Sequence, residues 1–188
     1  MTDPSIRDSR TVQHAAASLR SFLAQVPAAL ARIPDPQARP PGSSSWSHAE
    51  ILGHLIDSAL NNIQRFVRLQ HVVQLSFPIY DPDQWVAAQF HDLRPWTDLI
   101  SEWTVLNGRV LHLMEHIDPS VHEHVWTEGG PATLRFLMVD YLTHLEGHLN
   151  TLLPGIVSGP SASSAHRIQD RLPSRTMHGG CDPVQGMR

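Results

Sequence analysis

Between Ser9 and Ile33 the apolar residues Val12, Ala15, Ala16, Leu19, Phe22, Leu23, Val26, Leu30 and Ile33 recur at three- and four-residue spacing. That period gathers side chains on one face of a helix. Pro27 falls inside the stretch and predicts a kink or break, because proline lacks an amide hydrogen and its ring crowds the preceding turn. Four prolines, one glycine and three serines between Pro34 and Ser45 mark a connection. Ser47 and Glu50 then stand at capping-box spacing, each side chain able to satisfy the other residue's backbone N–H. A second helix is predicted from there to about Val72, with Ile51, Leu52, Leu55, Ile56, Ala59, Leu60, Ile63, Phe66 and Val67 as its apolar stripe and Gly53 as its one weak position.

Asp81 suits an N-cap and Pro82 a first helical position, so a short helix is predicted through Phe90. A third long helix is predicted from about Pro95 to Ile117, burying Leu99, Trp103, Leu106, Val110, Leu113 and Ile117. After Gly129, Gly130 and Pro131 a fourth carries Leu134, Leu137, Met138, Tyr141, Leu142, Leu145, Leu149 and Leu152, and Pro154-Gly155 stops it. Four long helices without a convincing strand predict an all-α four-helix bundle over residues 1–154, with a short helical insert between the second and third. Residues 155–188 turn to Ser, Gly, Pro and Arg without periodicity, which predicts a disordered tail.

At 188 residues, 41% apolar and 17% charged, the chain has the composition of one globular domain. A net charge of −4 excludes a broad basic surface, so nucleic acid is not an expected partner. All 14 basic residues are arginine, which excludes a Schiff-base lysine or a lysine-based phosphate loop. The single cysteine, Cys181, cannot form an internal disulfide; with a polar stretch from Met1 to Arg10 it predicts a cytoplasmic protein without an export signal. Apolar runs fall short of the roughly 18 residues a membrane span needs.

The unusual figure is 13 histidines. His144 and His148 stand four apart, so at about 100° per residue both project from nearly the same helix face. His112 and His116 share that spacing, but on the helical wheel they fall opposite Trp103, Val110 and Ile117 and should be solvated. His144 and His148 border the apolar arc beside Leu137, Tyr141 and Leu145, where they can reach the interior edge of a bundle. Glu146 lies about 200° round from His144, which rules out a zinc-protease arrangement of the His-Glu-x-x-His type and predicts a solvent-facing carboxylate. His54 sits in a polar strip with Glu50, Asp57, Ser58, Asn61 and Arg65. Two readings of that strip stand: a solvated face, or the lining of a cleft in the bundle.

The run Trp46-Ser47-His48-Ala49-Glu50-Ile51-Leu52-Gly53-His54-Leu55-Ile56-Asp57-Ser58, with Asn61, Asn62 and Arg65 and the later Tyr141-Leu142-Thr143-His144-Leu145-Glu146-Gly147-His148, resembles the DinB-like (DinB/YfiT-like) superfamily over roughly Leu19 to Pro154. The resemblance implies a four-helix bundle with a divalent metal ion, zinc or nickel, held by His54, His144 and His148. It also implies a small-molecule substrate, a low-molecular-weight thiol as partner in the characterised S-transferases and isomerases, and a homodimer, since members are often dimeric. Three neutral imidazoles would leave the ion's charge uncompensated and positions open, so thiol transfer and hydrolysis are both expected chemistries. Asp57 is a candidate orienter of His54 or general base, and Arg65 a candidate for a substrate carboxylate or phosphate. A non-catalytic metal- or ligand-binding, stress-related bundle is the alternative expectation.

Overall fold

The computed structural model describes residues 4–36 and 46–156. Its long helices are α1 (Pro4–Leu30), α2 (His48–Leu69), α4 (Trp96–His116) and α5 (Leu134–Leu152), and the eight-residue α3 (Pro82–Gln89) is the short insert. The capping box forms as the sequence predicts: Glu50 N–H donates to Ser47 Oγ at 3.2 Å, and Ser47 N–H to Glu50 Oε2 at 2.7 Å. Asp81 caps α3, accepting from the Gln84 backbone, and Pro82 takes the first helical position. Thr133 caps α5 in the same way through the Phe136 N–H.

The break expected at Pro27 does not occur. α1 continues to Leu30 and the Ala31 N–H still donates to the Pro27 carbonyl at 3.1 Å. The missing proline N–H removes one bond in the final turn, where burial of Val26 and Leu30 offsets it. α2 stops at Leu69, short of Val72, because the chain turns there into a strand and leaves Val72 and Val73 exposed.

Three two-residue strands correct the expectation of no strand: β1 (Gln74–Leu75), β2 (Val125–Trp126) and β3 (Ala132–Thr133). β1 lies parallel to β2 with Gln74 opposite Val125, and β2 pairs antiparallel with β3, Trp126 opposite Ala132. Strands this short cannot show a period of two. Gly129 and Gly130, at φ of +74° and +107°, make the reversal between β2 and β3.

α1 and α2 each pack against both α4 and α5. The core between them includes Leu19, Val26, Leu52, Leu55, Phe66, Leu99, Trp103, Leu137, Leu145 and Leu149. Leu60 departs from the expected stripe and is exposed, while Leu106 and Leu113 are only half-buried. Among the described residues no helix is long and apolar enough to cross a membrane. The expected tail, from residue 157 onward, and residues 37–45 of the connection lie outside the described residues.

Candidate metal centre

The polar strip of α2 faces inward. Glu50, His54, Asp57, Ser58, Asn61 and Arg65 are all buried, Asp57 and Ser58 completely. A solvated face is therefore excluded. Several of these side chains return hydrogen bonds to their own helix, Asn61 Nδ2 donating to the Asp57 carbonyl and Asn62 Nδ2 to the Ser58 carbonyl, both at 2.9 Å. α2 thus presents a polar seam to the bundle interior along several turns.

α5 supplies the facing groups. His144 is buried and His148 half-buried, one turn apart, and both meet His54. His54 Nε2 and His144 Nε2 are 3.0 Å apart. The three ring centroids are separated by 5.0, 4.8 and 4.7 Å, close to an equilateral triangle, with each pair of planes at 65°. One donor nitrogen from each ring can be chosen so that all lie within 4.8 Å of one another. A transition-metal ion bonded to imidazole at roughly 2.0–2.1 Å spans nitrogens about 3–4 Å apart, so the donor set fits a divalent ion in chemistry, and the His54–His144 pair does so in spacing as well.

Two residues outside the expected set complete the surroundings. Trp46, half-buried, lies with its ring 4.9 Å from His54 and 6.4 Å from His148 and walls one side of the triangle. His91, in the single-turn 3-10 segment His91–Leu93, is buried against the backbone of α2 at Gly53. A Cβ at position 53 would overlap the His91 ring and lie 2.7 Å from the His91 Cβ. The absent side chain at Gly53, legible as a weak helix position, was the one sequence signal for this contact.

Asp57 takes part in the same contact. Its Oδ1 accepts from Gln89 Nε2 at 2.6 Å, and its Oδ2 lies 3.3 Å from His91 Nε2. A carboxylate can only accept, so His91 Nε2 carries the proton. The pair ties the end of α3 and the 3-10 turn to α2, one turn beyond His54. Arg65, further along, has its guanidinium carbon 4.3 Å above the Trp126 ring. Its pKa falls to about 10, chiefly through burial, against which nearby Tyr80 and Asp140 act.

Tyr141, on α5, donates from its hydroxyl to Asn107 Oδ1 of α4 at 2.6 Å. Burial pushes that phenol well above its ordinary range. Glu146 is half-buried instead of solvent-facing, and burial raises its pKa as well. His112 and His116 are exposed on α4, as expected. Tyr80 is buried with its ring 4.7 Å from the partly exposed Trp85.

A family model described as the DinB superfamily matches residues 11–152, well over half of the chain. No curated protein and no solved structure matches it.

Proposed function

The chain belongs to the DinB superfamily, and from that premise we propose that it is a metal-dependent enzyme acting on a small molecule with a thiol or water as the attacking group. One observation carries the proposal: three imidazoles from two helices converge with donor nitrogens within 4.8 Å, and two of them are buried. His54, His144 and His148 would hold the ion; an all-imidazole set suits several first-row ions, and zinc or nickel is proposed from the family. When bound, such an ion supplies a Lewis acid that makes a thiol or water a better nucleophile near neutral pH.

The chain's own residues have separable tasks in this proposal. Trp46 excludes water from the side of the site it covers and offers an apolar surface to the substrate. Asp57, held by Gln89 and His91, positions the turn of α2 that carries His54. Arg65, buried and stacked on Trp126, places a positive charge at the far end of the same polar seam. The reducing cytoplasm, consistent with a single cysteine, is the compartment in which a low-molecular-weight thiol would be available.

The test is elemental analysis of the wild-type protein beside His144→Ala, followed by assay of the metal-loaded protein against a panel of thiols and electrophiles. Loss of bound zinc or nickel in the variant, with thiol consumption only by the loaded wild type, is the expected result. Equal metal content in both proteins would refute the site. Normal metal loading without turnover across the panel would favour a non-catalytic metal-binding role.

A further inference from the structure

A second pair of histidines, remote from the triad in sequence and on a different helix, has features of its own. His112 and His116 lie one turn apart near the C-terminal end of α4, both exposed, with ring centroids 4.1 Å apart and planes at 32°. His116 Nδ1 is 2.7 Å from the carbonyl oxygen of His112. A carbonyl only accepts, so Nδ1 carries the proton and the lone pair of the neutral ring is at Nε2. Metal-binding histidines are commonly oriented this way, by donating their other nitrogen to a carbonyl or carboxylate.

The local field also favours a cation. α4 ends at His116, and the carbonyls of a helix's last turn carry partial negative charge. Glu115, between the two histidines in sequence, is ion-paired with Arg20 of α1 and leaves the pair as an all-nitrogen donor set. Two nitrogens bridged by one ion stand roughly 3–4 Å apart; with their ring centroids 4.1 Å apart, the two exposed side chains need only rotate to turn a nitrogen of each toward a shared ion.

We propose that His112 and His116 form a second, surface metal site that chelates a divalent transition-metal ion through two imidazoles, water filling the other positions. With one ligand fewer than the triad and an exposed position, it binds more weakly and exchanges its ion faster. Imidazole donors select the later first-row ions, copper(II) most tightly, and discriminate against magnesium and calcium, which prefer oxygen.

Equilibrium dialysis of the full chain against copper(II), zinc and magnesium, in wild type, His112→Ala, His116→Ala, the double variant and His144→Ala, tests this. Both surface positions accept alanine, the best helix former, so folding is preserved. The expected result is two classes of copper(II) binding in the wild type. The weaker class should lose affinity at least tenfold in either single surface variant, and the double variant should lose less than the two single losses combined, as a chelate requires. His144→Ala should leave that class intact and remove the tighter one, which separates failure of this site from failure of the triad. A weaker class unchanged in the double variant, or magnesium bound as well as copper, would overturn the proposal. Copper-induced broadening of amide NMR signals in the His144→Ala variant provides a second readout: it should centre on residues 109–116 of α4, and broadening centred on other histidines there would equally reject the proposal.

Discussion

Replacing Gly53 by alanine sets two effects of opposite sign against each other. In a helix interior alanine is favoured over glycine by about 0.5–1 kcal/mol. Here, however, the new methyl would occupy the space of the His91 ring, 2.7 Å from its Cβ. The ring cannot easily yield: it is buried, its Nε2 faces Asp57, and it follows Phe90, whose φ of +54° fixes a left-handed turn. Overpacking of this kind costs about 1–3 kcal/mol, so the steric effect should win, with a net loss of up to about 2.5 kcal/mol once the propensity gain is subtracted. Urea unfolding followed by far-ultraviolet circular dichroism would measure it in wild type, Gly53→Ala, His91→Ala and the double variant. In the His91→Ala background the ring atoms are gone but the Cβ still stands 2.7 Å from the new methyl, so the loss on Gly53→Ala should shrink by about 1 kcal/mol or more, a coupling that reports the contact directly. If Gly53→Ala stabilises the protein equally with and without the His91 ring, the packing of the 3-10 turn on α2 described above is wrong.

Three further outcomes are expected. Tyr141→Phe should cost about 1–3 kcal/mol at neutral pH by stranding the buried Asn107 oxygen. Because burial raises the Tyr141 pKa in the folded state, the unfolded chain loses that proton first as pH climbs past about 10, so folded stability should fall there; urea midpoints between pH 8 and 11 should fall less steeply in the variant. Phe90→Gly should raise stability by about 0.5–1 kcal/mol in the same denaturation assay, since a left-handed non-glycine residue costs roughly 1–2 kcal/mol and glycine returns part of that in chain entropy. Zinc at 100 times its dissociation constant should stabilise the fold by about 2.7 kcal/mol and raise the melting temperature by several degrees in calorimetry, an increase that His144→Ala should abolish.

What the sequence revealed depended on how many residues each signal used. The capping box of Ser47 and Glu50, the Asp81-Pro82 start of α3 and the stripe from Leu134 to Leu152 each rest on local rules, and the helices follow them closely. The polar strip around His54 was legible as a strip but not as interior: polar residues at helical spacing look alike whether water or a facing helix covers them, and only α5 decides. The strands escaped because two residues carry no period. His91 escaped because its role lies in a contact with a backbone 38 positions away in the chain, to which Gly53 alone alludes.

Trp46 gives the site an optical gauge of its own. Its indole stands beside His54 and His148, whereas Trp103 and Trp126 are sealed in the core. A positive charge arriving on those imidazoles changes the emission of the nearby indole and leaves the core tryptophans as a steady background. Intrinsic fluorescence can therefore follow events at the triad in the unlabelled protein.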